Sequence, residues 1–565
     1  MKVGILLDDE LLCHAFAEIV RDLRQSNFVD IELLIIKRSE GTAVSHSPNE
    51  NRLFRTLRML GRASFWKSIG WTIFERIDKR FFSSEHDPMG IEDCSALFAG
   101  VPVLEVTPIA SKFVHRFPDD AVAEIREKRL DVMIRFGFNI LRGDILNVAR
   151  CGIWSFHHGD NTFYRGGPSH FWELVERNPL SGVILQILSE KLDDGLVLAK
   201  GQFATRQGIS LIQNRVQPYW GSTHMMIQKL WELHHWGFDY IRERAVPHDS
   251  YQGKRKLYRT PSNLELARWL VPQLIVKVAR RCVNAVRRED LVHHWRVAIG
   301  RSRAPDDPEV VNTADFQWID SPAGHFWADP FLFDWQDTTH LFMEDLNYAE
   351  NRGVIVHAEL SADGELGPVA TVLDTGTHLS YPCVFRDGSD VYMIPESQQA
   401  GVVQVYRAKT FPTEWEMIAE PFTGRAVDTT AFTDQDTWWF FTTLLEPRGR
   451  GLALFLFWAE TPYSDWHSHR QNPISIDVRS ARGAGNVFRL GASLIRPSQD
   501  CSGIYGRSFA LNRIRTLTRD AYAEEEIRVV EPDWAPGLVG SHTFNRSRRF
   551  DATDGQFVRR RRAVQ

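Results

Sequence analysis

The chain has 565 residues, 43% of them hydrophobic and 25% charged, with a formal net charge of -5 at pH 7. That length exceeds what a single hydrophobic core serves, so about two to four domains are expected. The mild acidity argues against a bulk nucleic-acid binder.

In chain order, Val3–Leu7 is a short apolar run that reads as a buried first strand, too short for a signal peptide. Leu11–Arg24 has helical spacing, with Leu12, Phe16, Ile19 and Leu23 on one face. A second strand is expected at Ile31–Ile36. Residues 40–100 read as an irregular insertion holding a basic, aromatic helix near Phe65–Phe82. Strands follow at Val103–Val106, Asp131–Phe136 and Gly152–Phe156, with helices Asp119–Lys128 and Leu141–Ala149 between them. Strands alternating with helices imply an α/β domain with a mostly parallel sheet. No segment approaches the length of a membrane span. Six scattered cysteines without a Cys-x-x-Cys pair point to reduced thiols in a cytoplasmic protein and to no metal site.

The most informative stretch is Gly152–Ala199. An apolar strand delivers His157 and His158, a turn of Arg165-Gly166-Gly167-Pro168 follows, and the β-rich run Val183–Leu188 ends in Leu192-Asp193-Asp194-Gly195. A histidine and a carboxylate carried to the ends of neighbouring strands suit proton transfer. No phosphate-cradling Gly-rich loop occurs, which argues against a kinase or a dehydrogenase.

This pattern resembles the formyltransferase family over residues 1–245. His157 matches the family's histidine, Arg165-Gly166 its turn and Asp193 its Leu-Asp-x-Gly aspartate, while Ser155 stands where the family has asparagine. The resemblance implies a Rossmann-like domain that moves a formyl group from 10-formyltetrahydrofolate to an amine. It implies His157 as acid/base, Asp193 as its partner and Ser155 as a hydroxyl near the oxyanion, with His158 or Asn161 as compensating donors. It implies folate contacts from Asn139, Ile140 and Leu141 on one side and from Leu192 and Asp194 on the other. Sugar N-formyltransferases are the natural comparison, so an amino sugar, as nucleotide sugar or glycan precursor, is the expected acceptor.

Residues 254–303 hold thirteen Lys or Arg against three acids. With 246–312 read as a basic helical linker, peripheral contact with an inner membrane face is one use of this segment, and packing between domains is the other.

From 313 onward short strands and turns dominate. Trp327-Ala-Asp-Pro-Phe-Leu-Phe, Ser380-Tyr-Pro-Cys-Val-Phe and Val427-Asp-Thr-Thr-Ala-Phe recur, placing Asp329, Tyr381 and Asp428 at intervals of 52 and 47 residues. Repeats of roughly 50 residues with four strands each suggest a five-bladed β-propeller over 313–565. The segments 326–333, 378–382, 392–397, 472–485, 496–506 and 540–544 resemble the propeller domain of the glucosamine inositolphosphorylceramide transferase family, and more distantly five-bladed glycoside hydrolases. Asp329, Glu396, Asp428, Asp500 and His542 are the candidate site residues here, for glycan binding or for acid–base work on a glycosidic bond. Two further readings stand beside the sugar N-formyltransferase: a glycan-active propeller enzyme with a degenerate formyltransferase domain, and a formyltetrahydrofolate hydrolase.

Overall fold

The computed structural model describes residues 1–38, 63–247, 249–287, 291–303, 311–445 and 453–560. They fall into two compact units, Met1–Ala279 and Arg280–Gln565.

The first unit is built on a seven-stranded sheet of β1 (Lys2–Leu7), β2 (Asp30–Lys37), β3 (Val103–Val106), β4 (Val132–Arg135), β5 (Ile153–His157), β6 (Leu180–Ile187) and β7 (Leu196–Ala204). Its order is β7-β6-β5-β4-β1-β2-β3. The strands from β5 to β3 run parallel, and β6 and β7 add an antiparallel edge. Val3, Ile5, Leu6 and Leu7 are all buried, as are Val132, Met133 and Ile134. Such continuous apolar runs fit strands covered on both faces.

The helices are α1 (His14–Gln25), α2 (Ala63–Phe82), α3 (Asp119–Glu127), α4 (Phe171–Glu176), α5 (Leu211–Gly221), α6 (Thr223–Glu243) and α7 (Asn263–Arg287). Two expected helices differ. Leu11–Cys13 pairs antiparallel with Ile91–Asp93 instead of starting α1, which begins at His14. In place of a helix over 141–149 there is a single 3-10 turn, Asp144–Asn147, because Leu141 pairs with a neighbouring strand and Gly143 turns the chain at φ +85°. Of the expected insertion, residues 40–62 lie outside the described residues.

In the second unit the described residues form five antiparallel sheets. Four are successive meanders, over His325–Leu373, Ser380–Thr423, Ala426–Ser468 and Arg482–Val530. The fifth joins Leu291–Arg301 and Gln317–Ile319 to the strands of the C-terminus, with Leu291–Arg301 paired along its whole length to Phe550–Arg560. The expected helical linker over 246–312 is helical through α7, Asn263–Arg287, and is corrected beyond it. Its first part packs into the first unit, and Leu291–Arg301 is a strand whose Trp295, Val297, Ala298 and Ile299 are buried.

The repeat seen in the sequence has a structural cause. Asp329, Tyr381 and Asp428 each adopt a left-handed backbone, at φ +50°, +45° and +52°. Each sits in a bulge of the first strand of its sheet, where the register slips between Ala328 and Phe331, Ser380 and Cys383, and Val427 and Thr430. Bulges re-aim side chains out of the pleat. Hydrogen bonds then link these strands in a ring. Tyr381 N–H donates to Asp329 Oδ2 at 3.2 Å, the Tyr381 hydroxyl lies 2.8 Å from Thr430 Oγ1 and accepts from Gly485 N–H at 2.7 Å, Asn486 N–H donates to Asn545 Oδ1 at 3.0 Å, and Asn545 Nδ2 donates to Pro330 O at 2.6 Å.

Candidate active site

In the first unit β5 ends at His157, beside parallel β4 on one side and antiparallel β6 on the other. The loop after β6 folds back so that Asp193, at φ +51°, brings Oδ1 to 3.4 Å from His157 Nδ1. The opposite ring nitrogen, Nε2, lies 2.8 Å from the Tyr164 carbonyl. A carbonyl only accepts, so Nε2 carries a proton and the free lone pair of a neutral His157 sits on Nδ1, facing Asp193. Asp193 Oδ2 in turn accepts the Gly166 N–H at 3.1 Å. The neighbouring carboxylate has a different task. Asp194 accepts from Arg165 Nη2 at 2.9 Å, and Arg165 Nε donates to Asn161 O at 3.1 Å, so these residues fasten the turn to the loop.

Ser155 does not stand free in the asparagine position. β4 and β5 pair Ser155 with Arg135, and Arg135 Nη1 donates to Ser155 Oγ at 2.8 Å. Nη2 donates to Phe138 O at 3.1 Å, while the buried Nε has no partner among the described residues. Burial lowers the Arg135 pKa, with Asp193 and Asp8 opposing that shift. A buried guanidinium with an unspent N–H is a strong place for developing negative charge. Sequence reasoning missed Arg135. Its signal is one charged residue closing the otherwise apolar Val132-Met-Ile run.

These groups open on a cavity of about 360 Å³ lined by Arg135, Ile140, Leu141, Ser155, Leu192 and Tyr219, with His157 and Asp193 also at its wall. His158 stacks on Tyr219, ring centroids 3.7 Å apart, and burial holds its pKa well below the usual value, so it serves as a neutral aromatic wall. Of the expected folate contacts, Ile140, Leu141 and Leu192 line the cavity. Asn139 does not, since its N–H and side chain are taken by His115 at 3.2 Å, and the Ile140 N–H is spent on Phe113 O. Leu192 also lines a second, open cavity of about 740 Å³ with Arg165, Tyr251, Lys256, Leu257 and Arg259. Among the described residues neither Lys256 nor Arg259 has an ion-pair partner.

The second unit holds a buried acidic cluster. His542 Nδ1 lies 2.7 Å from Asp554 Oδ2 and Nε2 lies 3.5 Å from Asp329 Oδ1. These three residues could together offer ligand atoms to a metal ion. However, Asp554 already accepts N–H groups from His542, Thr543 and Asp329. Burial depresses the His542 pKa, yet the charges of Asp554 and Asp329 outweigh it and hold it above the usual value. Burial raises Asp329, Glu344 and Glu396, reinforced in each by neighbouring carboxylates. Glu396 accepts the Asp428 N–H at 3.3 Å, and Asp428 accepts from Arg482 Nε at 2.5 Å. Glu344 was missed in the sequence, although Leu341-Phe-Met-Glu aligns with Met393-Ile-Pro-Glu. Both glutamates sit on the second strand, opposite Ala328 and Ser380 beside the bulge. Asp500 is spent elsewhere, on Arg507 Nη1 at 2.9 Å and Ser502 N–H at 2.8 Å.

Residues 301–553 match the family model of glucosamine inositolphosphorylceramide transferase 1, N-terminal. The rice (Oryza sativa subsp. japonica) glucosamine inositolphosphorylceramide transferase 1 is 34% identical over 210 residues, covering 36% of this chain and 28% of the relative. This chain thus spans about a quarter to a third of the length of the curated relatives it matches. The methionyl-tRNA formyltransferase of Chlorobium limicola is 29% identical over 105 residues, covering 18% of this chain and 30% of the relative. Among solved structures, glycinamide ribonucleotide transformylase 1 from Symbiobacterium toebii matches 46% of this chain and 94% of its own at 12% identity, with a TM-score of 0.27. The relatives matched here are transferases by name.

Proposed function

We propose that the first unit is an N-formyltransferase moving a formyl group from 10-formyltetrahydrofolate to the amino group of a phosphate-bearing amino sugar, and that the second unit is a five-bladed propeller that recognises carbohydrate. The observation that carries this reading is the His157–Asp193 pair, with its tautomer set by the Tyr164 carbonyl, beside the unspent Nε of Arg135. The donor supplies the formyl carbon, and the cavity walls from Ile140, Leu141 and Leu192 would hold its ring end. His157 Nδ1 takes the proton the amine loses as its bond to carbon forms, and Asp193 steadies the resulting imidazolium. Arg135, with the Ser155 hydroxyl it holds, provides the positive end for the oxygen that gains charge, in place of an asparagine amide. The proton then goes to the departing nitrogen of the donor. The acceptor's phosphate would lie against Lys256 and Arg259 in the neighbouring cavity, where cations with no ion-pair partner among the described residues favour an anion. The unpaired cysteines suit a reducing compartment, so we place the reaction in the cytoplasm.

The test is loss of the formyl group from 10-formyltetrahydrofolate with a panel of amino-sugar nucleotides. His157→Ala is expected to slow turnover about a thousandfold, and Arg135→Met about a hundredfold. Formate release without any acceptor would instead make the chain a formyltetrahydrofolate hydrolase, and failure to bind folate would end the formyl-transfer reading.

A second reading is favoured by the acidic cluster. A carboxyl that burial pushes up to about 8 (Glu396) beside one ion-paired to arginine (Asp428) is the unlike pair that glycosidic chemistry uses. Glycoside cleavage or glycosyl transfer that survives His157→Ala and is lost with Glu396→Gln would support it.

A further inference from the structure

Two helices that begin in the first unit carry exposed apolar side chains on the side opposite their packed faces. The inward sides of α2 and α7 converge on one ring: Trp71, Phe74 and Trp269 all contact Phe171, with centroids 4.8, 6.4 and 5.3 Å away. The helices run side by side. Gly70 N–H donates to Asn263 Oδ1 at 2.9 Å, Phe74 meets Trp269 at 5.9 Å, and Lys277 Nζ lies 6.0 Å over the Phe82 ring. With those inward faces satisfied, α2 still exposes Ile73, Ile77 and Phe81, at 50%, 51% and 74%, spaced four residues apart. α7 exposes Leu264, Val271, Ile275 and Val278, at 59%, 49%, 63% and 59%, spaced seven, four and three residues apart. Each set forms a stripe on a helix turning at 3.6 residues per turn. Contiguous apolar stripes of this kind on a folded surface mark an interaction site.

The charges around the stripes decide the partner. Arg76, Lys79, Arg80, Arg268 and Lys277 have no ion-pair partner among the described residues. Of the nearby acids, Asp78 is buried and accepts the Ile212 N–H at 2.9 Å, Glu75 is exposed but drawn toward Arg215 and Trp71, and Glu265 accepts the Ser262 N–H at 2.8 Å and pairs with Arg255. The outward face is therefore apolar along its ridges and positive at its margins. That is the pattern of helices lying in a bilayer interface, with apolar side chains among acyl chains and cations at anionic headgroups. No helix among the described residues is long and apolar enough to cross.

We propose that α2 and α7 together form a docking surface for an anionic lipid bilayer, holding the first unit flat on the membrane. This surface stands independently of the chemistry at His157.

The experiment is co-sedimentation of the full chain with vesicles of phosphatidylglycerol mixed into phosphatidylcholine, against phosphatidylcholine alone. Binding is expected only to the anionic vesicles and should weaken as salt is added. Phe81→Glu with Ile275→Glu is expected to abolish it, and Arg268→Glu with Lys277→Glu to weaken it about tenfold or more. All four positions are exposed, so the melting transition should not move; if it does, the salt titration of the unaltered chain decides. Equal binding to both vesicle types, or none to either, overturns the proposal. So does light scattering that shows a dimer lost with the same substitutions, which would assign the face to a second copy.

Discussion

Glu173 and His170 sit in the first turn of α4 and just before it, both buried, with His170 Nδ1 3.6 Å from Glu173 Oε1. Burial pushes the Glu173 carboxyl from its ordinary 4.5 up to about 8, and drives His170 well below its usual value. At neutral pH both are therefore uncharged. The sign for Glu173 follows from proton counting. The folded chain keeps a proton up to about pH 8 that the unfolded chain releases above 4.5. Its stabilising effect is full below 4.5 and is lost as pH rises toward 8, by about 1.4 kcal/mol per pH unit. His170 and His158 act oppositely, lowering stability as pH falls below the ordinary histidine value. Urea midpoints of the first unit should therefore fall from about pH 6.5 to 8, where both histidines are neutral folded and unfolded, and Glu173→Gln should flatten that fall. An unchanged slope in the variant would mean the carboxyl is ionised in the folded protein. At this scale the closeness of His157 and Asp193 was legible, because a histidine strand, an Arg-Gly turn and an aspartate loop keep a recognisable order. The Arg135–Ser155 pairing was not, since it depends on the register of two strands joined by a crossover.

Among the elements, the segment between α6 and α7 shows how a stretch read as a linker becomes part of a site. Its backbone is stitched to the Arg165 turn: Gln252 N–H donates to Thr162 O at 2.7 Å, Tyr258 N–H to Arg165 O at 2.8 Å, and Gly167 N–H to Tyr258 O at 3.2 Å. Gly166 allows this approach, for a Cβ there would stand 2.4 Å from Tyr258 O. Tyr258 and Trp172 pack beneath, with Arg255 over the Trp172 ring at 3.9 Å. The strap is thereby held so that Lys256 and Arg259 flank the cavity next to Leu192. Composition had marked this stretch as basic, but not what its charges face, because that is set by backbone pairing with a turn some ninety residues earlier. Replacing both Lys256 and Arg259 by Ala should raise KM for a phosphate-bearing acceptor about tenfold while leaving kcat in place, as expected for binding energy common to ground and transition states. Steady-state kinetics with a nucleotide-linked and an unphosphorylated amino sugar would check it: the loss should vanish for the second. An equal loss for both would remove the phosphate from the reading.

For the whole molecule, the decisive feature is how the second unit closes. Its repeat of Asp329, Tyr381 and Asp428 was legible because each copy marks a left-handed bulge at the same place in its sheet. What periodicity could not supply is the partner of the last strand. Phe550–Arg560 pairs through eleven residues with Leu291–Arg301, which precedes every repeat in the chain and carries no copy of the motif. This pairing buries Trp295, Val297, Ile299, Phe550, Ala552 and Phe557, and it places Asp554 against His542 and Asp329. Without the last strand, Leu291–Arg301 would expose an apolar edge, and Asp329 N–H and the His542 ring would lose their acceptor inside the unit. A chain ending at Arg549 should therefore lose the second unit's cooperative melting transition, and His542 should become accessible to diethyl pyrocarbonate. His157 chemistry should persist, because the first unit has its own core around β1, β4 and β5. Calorimetry of the shortened chain separates the cases: one surviving transition supports closure by the terminal strand, whereas two would mean that the four meanders hold together unaided.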